Sequence, residues 1–178
     1  MTFPATEQTI TRFFLEFSRT GEFKKQELKL HDLITSAISL LRSEIPSEME
    51  IELDIADDLM VYADKQRMQQ VFLNLIKNAM DACEKQGTIW ISAKEFYTDG
   101  RRDVEILLSD NGPGISPANL QKIFDPFYSS KDVGKGSGLG LFIVHDIIES
   151  HGGSISVDSR EGEGTTFIIW LPGGPQST

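Results

Sequence analysis

The 178-residue sequence contains a single cysteine, Cys83. An internal disulfide is therefore excluded, and a reducing compartment is favoured. No apolar run reaches the length of a membrane span, and no signal peptide opens the chain. The chain reads as cytoplasmic and without membrane contact of its own, although a parent protein could be membrane-anchored. Cations are scarce: 17 Lys and Arg against 27 Asp and Glu leave a formal net charge of −10. Bulk charge therefore offers nucleic acid no grip. An acidic chain that binds a phosphorylated ligand must use local devices, namely backbone N–H groups, a few lysines and a metal ion. Repeats and low-complexity segments are absent apart from a short polar tail. What remains, 39% hydrophobic and 25% charged residues, is a folded mixture of one ordinary domain with a short extra element.

Hydrophobic spacing lays out the elements. Ile10, Phe13, Phe14 and Phe17 fall on one face of a helix over residues 6–19. A polar linker follows over 20–29. A second helix begins near His31 and runs to Ser43, with Leu33, Ile34, Ala37, Ile38 and Leu41 inward, and Pro46 stops it. Met49, Ile51, Leu53 and Ile55 alternate with acids as in a half-buried strand, and a short strand covers 60–62. Asp64 caps a long helix over 65–85. Strands over 88–96 and 103–108 join through Asp99-Gly100 as a hairpin. Residues 110–137 form a long loop with a short helical stretch over 117–123. A loop of that length inside a compact domain is usually functional. A helix over 139–150 ends at Gly152-Gly153, and strands over 154–159 and 165–171 close the domain. The pattern predicts an α/β fold: a two-layer sandwich with a mixed, mostly antiparallel sheet covered by helices on one face, plus the short N-terminal helix.

Four stretches carry candidate chemistry. In the first, Asn74 and Asn78 lie four apart on one face of the long helix, with Lys77 and Asp81 beside them. A neutral amide oxygen suits a Mg²⁺ that already holds phosphates and water. Two ordinary helix asparagines would read the same. In the second, Asp110 at a strand end precedes Asn111, Gly112, Pro113 and Gly114. A carboxylate there can accept from an exocyclic amine such as that of adenine, and the glycines let backbone approach the ring. An ordinary turn is the plain alternative. The third stretch, Phe124, Pro126, Phe127 and Tyr128 followed by Lys131, is either an anchored flap or a satellite cluster under a loop. The fourth, Gly134, Lys135, Gly136, Ser137, Gly138, Leu139, Gly140 and Leu141, opens a helix, whose free N–H groups and partial positive charge suit phosphate. It lacks both the Walker and the dinucleotide-binding spacing.

Taken in order, these stretches resemble the N box, first glycine box, F box and second glycine box of the catalytic domain of sensor histidine kinases. The run from Ile143 through His145 to His151-Gly152-Gly153 and the late Gly164-Thr165-Thr166 are similar to that family too. The resemblance covers residues 29–173 and implies the Bergerat ATP-binding fold. It implies that residues 1–28 are the tail of a dimerisation and phosphotransfer helix with its linker, and 174–178 a polar tail. It also implies roles. Asn78 would ligate Mg²⁺, with Asn74 and Lys77 near the phosphates and Asp81 beside them. Asp110 would bind the adenine amine, with Gly112, Gly114 and Thr165 near the ring. Residues 136–141 would wrap the triphosphate, and Lys131 and Lys135 would reach the terminal phosphate from a flap that orders on ATP.

Related ATPases and serine kinases carry a Glu four residues before the metal Asn, where it can act as a base. Here that position is Asn74. A histidine acceptor needs less help, because neutral imidazole already offers a lone pair. The resemblance therefore implies γ-phosphoryl transfer from ATP to a histidine, for relay to the Asp of a response regulator. That histidine is expected on a helical domain outside this chain. His31-Asp32 fits the acceptor pattern only superficially, while His145 and His151 belong to the helix after the glycine loop, where a cation would suit the helix end. The chain is expected to bind Mg·ATP without labelling itself. The partners implied are that phosphotransfer domain, dimeric in a full-length kinase, and a receiver domain. A nucleotide-binding scaffold and an anti-sigma type serine kinase are the alternatives. The first is disfavoured by the retained Asn78, Asp110 and glycines, the second by Asn74 and the aromatic flap.

Overall fold

The structure is a computed structural model that describes residues 23–129 and 138–175. The helix expected over 6–19 lies outside the described residues. In chain order the elements are β1 (Lys25–Lys29), α1 (Leu30–Leu41), β2 (Glu48–Asp54), β3 (Met60–Asp64), α2 (Lys65–Cys83), β4 (Gln86–Thr98), β5 (Arg101–Asp110), α3 (Pro117–Leu120), α4 (Gly140–Ser150), β6 (Ser154–Arg160) and β7 (Gly164–Pro172). Five strands form one sheet in the order β2-β4-β5-β7-β6. β2 and β4 run parallel; the other pairs are antiparallel. The mixed, mostly antiparallel sheet is the one the sequence pattern predicts.

Alternation decides which face is covered. Ile89 and Ile91 of β4, Val104, Ile106 and Leu108 of β5, and Phe167, Ile169 and Leu171 of β7 are all buried. Against them pack Leu33, Ile34 and Ala37 of α1, Met68, Phe72, Leu75 and Ile76 of α2, and Val144 and Ile148 of α4. The residues between point the other way. Trp90 and Phe96 are exposed, and the Phe96 ring meets Trp170 at 5.4 Å.

One expectation is overturned. Residues 25–29, read as part of a polar linker, form β1 and pair antiparallel with β3, from Lys25 opposite Asp64 to Lys29 opposite Met60. Lys25, Glu27 and Lys29 hide the strand from a hydrophobic-pattern reading, and only Leu28 packs against the core. Backbone pairing supplies the rest. The hairpin is also longer than its apolar stretch. β4 and β5 stay paired out to Thr98 and Arg101. Asp99 (φ 51°) and Gly100 (φ 76°) there make a two-residue turn with both φ positive. The long helix stops two residues early, at Cys83, because Glu84 turns left-handed (φ 58°).

His151 closes the far end of α4. It is buried, and its Nε2 accepts the Asp64 backbone N–H at 3.0 Å. Nδ1 therefore carries the proton and donates to the Ile147 carbonyl at 2.7 Å. Burial pushes this imidazole below its ordinary pKa; the hydrogen bond to Ile147 and the Asp64 charge oppose the shift, and the Lys25 and Arg67 charges add to it. The expected cation at the helix end is instead a neutral ring. Asp64 also caps α2, accepting from the Arg67 N–H at 3.0 Å, and takes the Lys24 N–H on its other oxygen.

Candidate functional site

The candidate site is laid out along one face of α2. Asn74, Asn78 and Ala82 follow one another at intervals of four residues, so they share that face over about 12 Å. At one end, Asn74 Nδ2 donates to the Gly140 carbonyl at 3.4 Å, in the first turn of α4. At the other end lies Gly112. A Cβ built there would stand 3.0 Å from the Ala82 Cβ and 2.8 Å from Asp110 Oδ1. Asn78 stands midway, half-buried. Among the described residues its side-chain amide has no hydrogen-bond partner. The face thus joins the helix-opening glycine loop to the strand-end acid, with an amide free between them.

Asp110 ends β5 and is buried, 6% exposed. Its Oδ1 accepts the Gly112 N–H at 2.9 Å. Burial raises the carboxyl above the ordinary Asp range, and hydrogen bonds from the Gly112 and Thr165 backbones oppose that shift. Thr165 is opposite Asp110 in the β5–β7 ladder and is itself buried. A buried carboxylate held at a strand end by backbone donors can receive a further donor from a ligand.

Two glycines are fixed by close approach. Gly114 (φ 74°) would bring a Cβ to 2.0 Å from the Arg160 carbonyl oxygen. Gly138 (φ 67°) would bring one to 2.5 Å from the Phe127 carbonyl carbon. The aromatic stretch and Gly138, just before α4, therefore meet at their backbones. Phe124 and Tyr128 pack against the core, and the Phe124 ring lies 5.5 Å from His145. After Gly138 the chain enters α4 through buried Leu139, which has no side-chain acceptor for the first-turn N–H groups. A helix start beside Asn74 is a place where the N–H groups of Gly140 and Leu141 can receive an anion. Leu141 packs against the core.

Other sequence candidates sit differently. Lys77 is committed to Glu44, after the end of α1, at 2.9 Å, and the pair is half exposed. The structure does not bring that ammonium to the face of Asn74 and Asn78. Asp81 lies exposed one turn beyond Asn78. Lys131, Lys135, Gly136 and Ser137 lie outside the described residues. His31 lies in the first turn of α1, 3.8 Å from Asp32.

Sequence reasoning assigned no role to three residues that hold the site. The Ser159 hydroxyl accepts the Ile115 N–H at 2.9 Å and donates to the Gly164 carbonyl at 2.8 Å, tying the 110–115 loop to the β6–β7 turn. Gly164 (φ 96°) lets its backbone pass Asp110: a Cβ there would lie 2.0 Å from the Asp110 carbonyl oxygen. Asn111 bridges the loop to β4, accepting the Thr88 N–H at 2.9 Å. A serine in a strand or an Asn-Gly dipeptide is too common for either to be singled out in advance. A cavity of about 270 Å³ lined by Lys25, Tyr62, His151 and Pro172 lies at the opposite end of α4. It holds none of the candidate site residues.

Comparison with known proteins fits this layout. Residues 63–175 match the family described as histidine kinase-, DNA gyrase B-, and HSP90-like ATPase. The chain is 41% identical over 160 residues to the sensor histidine kinase ZraS of Salmonella typhi, covering 89% of this chain and 33% of that protein. It is 34% identical over 168 residues to sporulation kinase E of Bacillus subtilis, covering 93% of this chain and 22% of that one. The chain thus spans a third or less of these curated relatives. Among solved structures, the catalytic domain of histidine kinase ThkA superposes with a TM-score of 0.73 at 35% identity, over 84% of this chain and 95% of that one. A structure of ThkA in complex with the response regulator TrrA superposes with a TM-score of 0.77 at 33% identity, over 94% of this chain and 47% of that one.

Proposed function

The chain belongs to the histidine kinase-, DNA gyrase B- and HSP90-like ATPase family and is a catalytic ATP-binding domain of the sensor histidine kinase type. From that premise we propose that it transfers the γ-phosphoryl group of Mg·ATP to a histidine on a separate helical domain, for relay to a response regulator. The observation that carries this is the single face of α2. It runs from the start of α4 at Asn74 to the Asp110 loop at Ala82, with the Asn78 amide between. Phosphates at one end and adenine at the other would lay a nucleotide along it.

In this reading Asp110 accepts the adenine amine, while Gly112, Gly114 and Thr165 form the wall beside the ring. The N–H groups of Gly140 and Leu141, in the first turn of α4, take phosphate oxygens. Asn78 would hold Mg²⁺ through its amide oxygen, a fit supported by its half-buried amide, which has no partner among the described residues, and by the neutral hard donor it offers. Bound there, the ion would neutralise phosphate charge. Asn74 spans to Gly140 and fixes α2 against α4. Having no basic group, it leaves activation to the acceptor imidazole, so this chain's contribution is positioning and electrostatic. Lys77 could contribute only by leaving Glu44, and Lys131 and Lys135 are candidates for the terminal phosphate. The partners are the phosphotransfer domain and a receiver domain.

Calorimetric titration with ATP, with and without Mg²⁺, tests this on wild type and Asn78→Ala. Wild type should bind more tightly with the metal, and the mutant should lose about tenfold or more of that metal-dependent gain, the scale of a lost charge-assisted contact. Equal metal dependence in both proteins would remove Asn78 from the metal site.

A further inference from the structure

Asn111 lies between two residues of the candidate site, yet its side chain serves a different part of the fold. Its Oδ1 accepts the Thr88 backbone N–H at 2.9 Å, near the start of β4. The same oxygen is 3.6 Å from Cys83 Sγ, the last residue of α2. A Cβ on Gly87 would stand 2.8 Å from this oxygen, so glycine at 87 is what leaves room for the amide. One side chain therefore ties the loop after β5 to the end of α2 and the start of β4. Asp110 is braced on its other side by Thr165 across the ladder.

We propose that Asn111 is a positioning residue that fixes the direction of the Asp110 carboxylate and so sets selection of a 6-amino purine over a 6-oxo purine. This rests on the reading of Asp110 as the adenine acceptor. The physical reason is directional. A carboxylate aligned with an amino N–H is rewarded, and the same carboxylate facing a 6-oxo group meets an acceptor. The Gly112 N–H fixes Oδ1 at 2.9 Å, the ladders to Ile89 and Thr165 hold the backbone of residue 110, and its neighbour's amide is a second brace, on the chain that leads to that Gly112 N–H. Loosening the second brace lets the carboxylate turn, which weakens discrimination more than overall affinity. The loop can still present its glycines and its contact with Ala82 to either base.

The test compares Mg·ATP and Mg·ITP affinities by calorimetry at pH 8 for wild type, Asp110→Asn, Asn111→Ala and Asn111→Asp. Wild type prefers ATP, and Asp110→Asn brings the two affinities together. In Asn111→Ala the ATP-to-ITP preference falls about tenfold, the scale of a misaligned hydrogen bond to a charged acceptor, while ITP affinity changes less than about threefold. The unfolding midpoint barely moves, because water can reach the exposed Thr88–Asn111 bond. Asn111→Asp keeps an acceptor for the Thr88 N–H and restores most of the preference. An Asn111→Ala protein whose two affinities drop by the same factor, or an Asn111→Asp protein that rescues nothing, overturns the inference. If Asp110→Asn also leaves the preference untouched, the adenine reading itself fails and takes this inference with it.

Discussion

Replacing Gly138 by alanine perturbs the place where the aromatic stretch and the helix-opening loop touch. Two costs can be separated. The first is conformational: φ is 67°, a left-handed backbone that costs a Cβ-bearing residue about 1–2 kcal/mol. Reduced freedom of the unfolded chain returns about 0.4–1 kcal/mol of this. The second is steric. The new Cβ would stand 2.5 Å from the Phe127 carbonyl carbon and 2.8 Å from its oxygen, against about 3.5–4.0 Å for an ordinary carbon contact. Backbone must therefore move by about 1 Å at the start of α4 or at Phe127. Gly162→Ala is the matched control. Its φ is 82°, and nothing lies within 4 Å of the added Cβ. Urea unfolding should place Gly162→Ala about 0.5–1 kcal/mol below wild type, with Gly138→Ala lower still by about 1–3 kcal/mol, the usual range for overpacking. Calorimetry with Mg·ATP should find Gly162→Ala within about twofold of wild type and Gly138→Ala weaker by about tenfold or more, since an ångström of misplacement at a binding site is costly. If Gly138→Ala binds as Gly162→Ala does, the junction of Gly138 with Phe127 does not shape the phosphate end, and the reasoning fails.

The remaining predictions are shorter. Stability should decline as pH falls below about 6.5, because burial depresses the His151 pKa and the unfolded chain takes the proton first. That contribution is complete above the unfolded pKa, and its loss cannot exceed about 1.4 kcal/mol per pH unit for one group. Urea titrations from pH 7.5 to 5.5 on wild type and His151→Gln measure it; a slope that persists unchanged in the mutant assigns the effect elsewhere. Asp110→Asn should stabilise the unliganded protein by about 1 kcal/mol while weakening ATP, the usual exchange at a binding site. The sign follows from its raised pKa: the buried charge costs stability where it is ionised, and stability recovers as pH falls through the folded value. Thermal melts without nucleotide check this, and a lower midpoint in the mutant would contradict it. Lys77→Ala should change stability by about 0.5 kcal/mol or less, since its pair with Glu44 is half exposed. A large loss of ATP affinity in that variant would mean that Lys77 does leave Glu44 for the phosphates.

Some of this was legible without coordinates. The apolar spacing of α2 and α4, the alternation of β4, β5 and β7, and the Asp64 cap follow from local rules, because burial on one face leaves a period in the chain. So the layer architecture and most element cores were readable. β1 was not. An edge strand rich in Lys and Glu is held by backbone bonds to β3, which carry no hydrophobic signature. The ends of β4 and β5 escaped for the same reason.

For the site, the amino-acid order determined which residues were candidates: two amides one helical turn apart, an acid before two glycines, and a glycine-rich helix start. These are properties of spacing, and spacing is local. Only tertiary structure decided what each meets. It set Asn74 on Gly140 and Gly112 on Ala82, turned Lys77 to Glu44, and left His151 neutral beneath Asp64. Those outcomes depend on which surfaces come together across dozens of residues, and on how much water is left between them. No pattern along the chain encodes either quantity.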